Sequence, residues 1–215
     1  MKKIILITVA TMFLIVTPVM AGSPYISLKG SIADVDVDNI SFAPPFDPFS
    51  VDIGSSEIIK SPGLAIGYDG GNGRIELEYF NRKTAKYDGI CYLFSSPGPA
   101  TEFSLDTDTF FINFYHDFKT TDKLELYIGV GLGIAKHNTD LDFFVPGFNF
   151  SDSNTEIAYN YQCGMAFLFT DNLAFDLGFR YADLGSADVG DFLGVIQADV
   201  DVKSKEIILA LRYTF

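Results

Sequence analysis

The sequence predicts an all-β protein: an eight-stranded antiparallel up-and-down transmembrane β-barrel, preceded by a cleavable signal peptide. Three observations carry this. The chain of 215 residues is 48% hydrophobic with a mean hydropathy of +0.21. Yet after residue 21 no stretch reaches the ~18 to 20 apolar residues that a membrane helix needs. Apolar residues instead recur at every second position in eight separate runs, the period of a strand with two different faces. The connections between these runs alternate short and long, as they do in outer-membrane barrels.

Residues 1–21 read as the signal peptide. Lys2 and Lys3 form its positive start, Ile4 to Val16 its apolar core, and Val19-Met20-Ala21 a small-residue cleavage site. Gly22 follows, so no lipid attachment through a cysteine is expected there. The predicted domain is then 22–215, and losing Lys2 and Lys3 takes the formal charge from −13 to −15. The two cysteines, Cys91 and Cys163, fall on an outer loop and a non-neighbouring mid-membrane strand. A disulfide needs its Cα atoms within ~7 Å, so both are expected to be free.

The first run presents Ile26, Leu28, Gly30 and Ile32 on its apolar side, the second Leu64, Ile66 and Tyr68, and the third Ile75, Leu77 and Tyr79. In the fourth, Phe110, Ile112, Phe114 and Phe118 are interrupted by His116; the fifth carries Leu124 to Ile134 at even positions. The sixth has Tyr159, Tyr161, Cys163, Met165, Phe167 and Phe169, and the seventh Leu173, Phe175, Leu177, Phe179 and Tyr181. The eighth ends the chain with Ile207, Leu209, Leu211, Tyr213 and Phe215. The best of these faces run for the ~9 to 11 residues that a tilted membrane strand needs. Short turns are expected at Asp69 to Gly73, Lys119 to Lys123 and Thr170 to Asn172, and four long, acidic extracellular loops over roughly 34–57, 88–104, 138–154 and 183–202.

The segment Tyr127-Ile128-Gly129-Val130-Gly131-Leu132-Gly133 resembles the fifth strand of the opacity-type (OmpA/OmpX-like) outer-membrane β-barrel family. Thr170-Asp171-Asn172-Leu173 through Gly178-Phe179-Arg180-Tyr181-Ala182-Asp183-Leu184-Gly185 resembles its seventh. The end, Leu211-Arg212-Tyr213-Thr214-Phe215, is similar to the signal by which the assembly machinery recognises outer-membrane proteins, with Tyr213 and Phe215 as its aromatic positions. The resemblance implies a surface-exposed barrel in a Gram-negative outer membrane, sometimes an adhesin or antigen, and no catalytic residue. With 21 Phe, 11 Tyr and no Trp, the aromatic girdles would be built from Phe and Tyr.

The opposite parity should face the lumen. It supplies Lys29, Arg74, Glu76, Glu78, Arg82, Asp117, Glu125, Asp176, Arg180, Glu206 and Arg212, nearly balanced in sign. A barrel of ~8 strands is only wide enough for side chains to fill it, and buried charges persist only when paired. A salt-bridged plug is expected, with Arg180 and Glu206 as neighbours and Glu78 and Arg82 on one side of their strand. A gated ion path through the same charges is the alternative.

Above the membrane the pattern inverts. The outer segments 34–57, 88–108, 138–156 and 183–202 hold 19 of the 28 acids and no Lys or Arg. Asp34, Asp36 and Asp38, the pairs Asp106/Asp108 and Asp140/Asp142, and Asp199/Asp201 all continue the lipid-facing parity. Val35, Val37, Leu105, Leu141, Phe143, Val200 and Val202 then turn inward, an apolar core closing the outer mouth. Just below, Lys60, Lys83, Lys136, Lys203 and Lys205 point outward, where long basic side chains reach headgroups. Of these, Lys60, Lys83, Lys136 and Lys205 are expected to contact lipopolysaccharide phosphates. Asp34, Asp36, Asp199 and Asp201 are expected to converge and bridge to the same lipid through a divalent cation, against the alternative of a solvated acidic rim. The outer aromatics Phe42, Phe46, Phe49, Tyr92, Phe94, Phe103, Phe144, Phe148, Phe150 and Phe192 could form a loop mini-core or a patch for host or neighbouring surface proteins.

No phosphate loop, zinc spacing or hand-type calcium loop occurs, and no cofactor is implied. The net charge disfavours nucleic acid. His116 has lipid-facing parity; His137 has lumen parity near the outer rim, with Thr139 the nearest hydroxyl, and no complete triad can be assembled. The leading reading is therefore a non-enzymatic surface barrel with a plugged lumen, serving adhesion, surface interaction or envelope integrity. The alternatives are a small-solute channel, a lipid-modifying enzyme and a soluble secreted barrel; the charged inner parity speaks against the last.

Overall fold

The computed structural model describes residues 22–37, 40–42, 49–53, 56–93, 96–143, 149–192 and 196–215. The expected signal segment 1–21 lies outside the described residues, and of 38–55, 91–99, 143–150 and 190–198 no side chain is described. Ten strand segments make up the wall: β1 (Ser23–Val37), β2 (Ile40–Phe42), β3 (Phe49–Ile53), β4 (Ser56–Asp69), β5 (Gly73–Leu93), β6 (Ser96–Thr121), β7 (Leu124–Phe143), β8 (Asn149–Leu168), β9 (Leu173–Phe192) and β10 (Ile196–Thr214). Every pairing is antiparallel, and β1 closes onto β10 from Tyr25–Thr214 up to Val37–Val202. Within the apolar belt this closure leaves no sheet edge, the condition for crossing a membrane with strands.

Ten segments form eight staves. β2 continues β1 up the same face of β10, pairing Ser41 with Asp199 and Phe42 with Ala198. β3 precedes β4 and pairs with the top of β5, from Ile53–Gly89 to Phe49–Leu93. The small β2–β3 hairpin thus stands on top of β1 and β4 and fills their place in the upper wall.

Most residues expected in long loops are strand. β5 runs on to Leu93 and β6 starts at Ser96, and β9 and β10 continue to Phe192 and from Ile196. The reason is that alternation does not stop at the membrane boundary; only its polarity reverses, and a two-residue period makes a strand whichever face is apolar. β6 has 26 residues, over twice the ~9 to 11 that hydrocarbon requires, so the wall stands well above the lipid.

The opposite end is closed by tight turns. Gly70 N–H donates to the Gly73 carbonyl at 2.9 Å and Gly71 N–H to Asp69 Oδ1 at 2.7 Å, with Gly71 at φ 91°, a region that favours glycine. Thr121 and Thr170 hydroxyls accept from Leu124 and Leu173 N–H at 3.1 and 3.0 Å. At the closing seam, Phe215 N–H donates to the Pro24 carbonyl at 2.9 Å.

The lipid-facing parity is exposed or half-exposed: Leu28, Leu64, Leu77, Phe110, Leu132, Phe179, Ile207 and Leu209 are among the exposed residues of an outward apolar belt. The inner face has two storeys. Within the belt it is polar and charged. Above it Val35, Val37, Tyr87, Phe103, Leu105, Leu141, Leu184, Val200 and Val202 form a buried apolar core. Glycines make room below. A Cβ on Gly131 would lie 2.1 Å from Asn113 Oδ1 and 2.2 Å from Asn160 Nδ2, two side chains that hydrogen-bond each other at 3.0 Å. A Cβ on Gly129 would strike the Tyr115 ring. The glycine alternation on β7 is thus the space that larger lumen side chains occupy.

Candidate functional site

The lumen charges form one connected column. Nearest the turns, Arg74 Nη2 meets Asp117 at 2.8 Å, and Arg212 reaches Asp176 at 3.2 Å and Asp69 at 3.3 Å, with Glu125 at 3.9 Å. Arg74 also lies over the Tyr115 ring, 4.7 Å from its centre. In the middle, Lys29 Nζ bridges Glu76 at 2.5 Å and Glu78 at 2.6 Å. The Tyr25 and Tyr115 hydroxyls donate to Glu76 at 3.1 and 2.9 Å. At the top, Arg180 holds Glu78 and, at 2.8 Å, Glu206. Glu206 also lies 2.6 Å from Arg82 and accepts from the Ser204 hydroxyl at 2.9 Å.

Each buried carboxylate therefore has a cationic partner, and Glu76 and Glu206 accept from hydroxyls as well, the condition under which interior charge is tolerated. Glu78 and Arg82 do not pair with each other; they are linked through Arg180 and Glu206. The Arg82 guanidinium sits close to Glu206 but off hydrogen-bond alignment, and its three nitrogens have no hydrogen-bond partner among the described residues. The tyrosines Tyr25, Tyr115 and Tyr127 also line the lumen, a role that charge alone does not mark. Their signal was their parity, shared with Lys29, Asp117 and Glu125 rather than with the lipid face.

The apolar core sits directly on this column. Phe103 is buried in it, its ring 6.0 Å from that of Tyr87, whose hydroxyl donates to the Val35 carbonyl at 2.9 Å. Phe103 is thus an interior residue and not part of an outer patch. The side chains of Phe42, Phe46, Phe49, Tyr92, Phe94, Phe144, Phe148, Phe150, Phe192 and Phe143 lie outside the described residues, as does that of Cys91. Cys163 is a free thiol on the exposed face.

His137 is buried beside this core. Its Nε2 donates to the Leu184 carbonyl at 2.9 Å, which leaves Nδ1 to accept from the Thr107 hydroxyl at 3.0 Å. Burial holds its pKa below the ordinary value, against the Leu184 hydrogen bond and Glu156; Arg82 adds to the lowering. Thr139, expected to be its nearest hydroxyl, donates instead to the Asp188 carbonyl at 2.5 Å. His116 is exposed, its ring edge-on to Phe118 at 4.6 Å.

The outward rim differs from the expected acidic ring. Register sets Asp34 opposite Lys205 and Asp36 opposite Lys203, and Lys205 Nζ lies 2.8 Å from Asp36 Oδ2. Asp199 stands higher, between Ser41 and Asp188, and Asp201 faces Ser186, whose hydroxyl donates to it at 3.0 Å. So Asp34, Asp36, Asp199 and Asp201 do not converge. The expectation of an acidic cluster assumed equal strand heights; the β1–β10 register instead interleaves acids with lysines. Likewise Asp108 lies opposite Lys136, and Asp106 opposite Asn138, not opposite the acids of β7. Among the described residues no group of three or more His, Cys, Asp or Glu side chains is placed to hold a metal ion. Higher up, burial together with Asp152, Asp199 and Glu156 raises the pKa of Asp188.

Lys60, Lys83 and Lys136 are exposed on the outward face. At the other end Tyr213 and Phe215 project outward, their rings edge to face at 5.3 Å.

This closed wall, apolar outside and filled within, defines an integral membrane β-barrel. The family profile described as "Outer membrane protein beta-barrel domain" matches residues 6–215, and the chain belongs to that family; it is an outer-membrane protein of the Gram-negative envelope. It is 25% identical over 117 residues to the outer membrane protein PagN of Salmonella typhimurium. That match takes in 50% of this chain and 49% of PagN, so the chain spans about half the length of this relative. The structure is similar to that of Neisserial surface protein A, with a TM-score of 0.53 and 20% identity over 91% of this chain and 99% of that one. It is also similar to the outer membrane protein OprG of Pseudomonas aeruginosa, with a TM-score of 0.59 and 15% identity over 92% of this chain and 99% of that one. At these identities the likeness is one of fold.

Proposed function

We propose that this protein is a non-enzymatic surface barrel. Its lumen conducts no solute, and its tall wall carries a polar, acidic face beyond the outer membrane for contact with other surfaces. The observation that carries this reading is the two-storey interior. An apolar core caps a fully paired ionic column, so a hydrated ion moving along the axis would have to cross a dry layer and break buried ion pairs. The non-enzymatic reading is supported by the histidines: both ring nitrogens of His137 are occupied inside the wall, and His116 faces lipid.

The partners this wall suits are outer-membrane glycolipid, through the outward lysines, and host or neighbouring surface proteins, through the rim. The envelope role follows from the first, adhesion from the second. Single-channel recording in planar bilayers tests the closed lumen: no steady current is expected, and a large stable conductance would make the protein a channel. Adherence of bacteria displaying the wild type, set against a variant with Asp140, Asp142, Asp199 and Asp201 changed to Asn, tests the rim; equal adherence would remove it from the function.

A further inference from the structure

The wall is not uniformly laddered. β4 and β5 pair from Asp69–Arg74 up to Gly63–Phe80 and no further. Pairing of β5 on that side resumes only with β3, at Ile53–Gly89. Between these points β5 residues 81–88 have no ladder partner on that side among the described residues, and β4 residues 56–62 pair with β1 alone among the described residues. Carrying the β4–β5 register upward from Gly63–Phe80 would set Lys60 opposite Lys83. Both side chains are exposed, and like charges directly opposite each other in a sheet repel. Pro62, which has no N–H to give, stands at the fork.

On its other side β5 has a bulge: Arg82 pairs with Thr107 and Ala85 with Leu105, so Lys83 and Thr84 together oppose Asp106. Both point outward and border a cleft of about 400 Å³, whose other polar walls include Asn81, Asp106, Asp108 and Asn138. Hydrogen bonds order these walls: Thr84 donates to Asp106 at 2.7 Å and Asn81 to Asp108 at 2.8 Å.

We propose that the fork between β4 and β5 binds a phosphate of an outer-leaflet glycolipid, lipopolysaccharide in this envelope, and that the adjoining sugar occupies the cleft at the β5 bulge. Lys60 and Lys83 are the two cationic walls. An anion between them turns their mutual repulsion into two attractions. The unladdered backbone fits the same depth, because open strand edges do not persist against hydrocarbon; the fork lies just above the exposed belt residues Leu64 and Leu77. The cleft is no place for the phosphate itself, since Asp106 and Asp108 would repel it. Carboxylates and amides set side by side instead accept and donate to sugar hydroxyls. The chemistry therefore divides between the two sites: phosphate at the fork, polyol in the cleft. This inference rests on the glycolipid contact proposed for the outward lysines and stands apart from the closed lumen and from adhesion.

The test uses the folded protein in phosphatidylcholine bilayers, titrated with bisphosphorylated lipid A, with dephosphorylated lipid A and with inorganic phosphate. Binding is read by native mass spectrometry and by unfolding temperature. The proteins compared are wild type, Lys60→Gln/Lys83→Gln, Asn138→Leu, and Lys119→Gln/Lys123→Gln, which removes the same charge at the turn end. Heat-modifiable gel mobility checks that each variant is folded. Bisphosphorylated lipid A should bind wild type and the turn-end variant alike, and Lys60→Gln/Lys83→Gln about tenfold or more weakly, the size of losing charged hydrogen bonds. Asn138→Leu should weaken lipid A and leave inorganic phosphate unchanged. Equal losses in the two lysine variants, or undiminished binding of dephosphorylated lipid A, would overturn the fork site. A shift from inorganic phosphate as large as that from lipid A would overturn the sugar cleft.

Discussion

Arg180 on β9 ties Glu206 on the neighbouring β10, at 2.8 Å, to Glu78 on β5, diametrically opposite in the ring of eight staves. One guanidinium thus joins a seam partner to the far wall. It does so directly beneath the apolar storey, lying over the Phe80 ring at 4.9 Å. Planar, always charged and five-donor, arginine suits such a bridge in a way that lysine does not.

Replacing Arg180 with Ala should leave Glu78 with Lys29 alone and Glu206 with Arg82 alone, each buried carboxylate short of one cation. Breaking a buried pair costs roughly 3 to 5 kcal/mol. The expected result is a marked fall in unfolding temperature and loss of heat-modifiable mobility at temperatures the wild type survives. Adding Glu78→Gln, which leaves Lys29 its pairing with Glu76 and Glu206 its pairing with Arg82, should recover part of the loss. An unchanged Arg180→Ala variant would show that the column does not hold the staves together.

Gly131→Val should destabilise for a different reason. The added atoms fall on the Asn113–Asn160 hydrogen bond, and overpacking typically costs about 1 to 3 kcal/mol. Chemical denaturation in detergent measures it. Val130→Ala, one residue away on the lipid face, should change stability less.

Stability should fall as pH is lowered below about 6.5, the ordinary histidine value. His137 has a depressed pKa in the folded chain, so the unfolded chain binds more protons in this window. Its contribution is complete above the unfolded value and is lost as pH falls from there through the lower folded value. Unfolding temperature measured between pH 7.5 and 5 should decline in wild type and decline less in His137→Asn. Parallel curves would locate the acid sensitivity elsewhere.

Chelation should leave the isolated protein unaffected. Asp36 is already paired with Lys205, and Asp199 and Asp201 sit higher on the wall. In bilayers free of lipopolysaccharide, a chelator is expected to shift unfolding temperature in neither wild type nor Asp36→Asn. The substitution itself should change stability little, as is usual for exposed pairs. A chelator-sensitive wild type would restore a cation to the rim.

Deleting Phe215 should impair assembly. Its N–H closes the β10 end against Pro24 and its ring packs edge-on to Tyr213. Lower outer-membrane levels with protein retained in the periplasm are expected; normal insertion would mean that the assembly machinery does not read this end.

Much of this architecture can be read from alternation alone. Parity puts Arg180, Glu206, Glu78 and Lys29 inside and Ile207, Leu209 and Leu211 outside, because a strand offers only two faces. It also turns Val35, Leu105 and Val202 inward above the membrane. What parity lacks is height. Whether Asp34 meets Lys205 or Asp201 depends on the β1–β10 register, which sequence spacing leaves open. Whether Arg180 reaches Glu78 depends on which staves lie across the lumen. The fork between β4 and β5 escapes the pattern too, since Lys60 and Lys83 are in phase with their strands and only the missing ladder separates them.

Because the upper core lies inside the wall, the face that leaves the membrane has no interior to protect. Outward positions such as Asp106, Asp140 and Asp199 face water and other outward polar groups, as Asp106 does Thr84, and not Val35 or Leu141. Substitutions there that keep the alternation polar should be nearly neutral for folding, whereas the same number of changes in the lipid belt or the column would not be. Among the described residues, it is this permissive face that is presented outside the membrane. The fold thus lets the surface that others recognise change rapidly while the barrel beneath it stays the same.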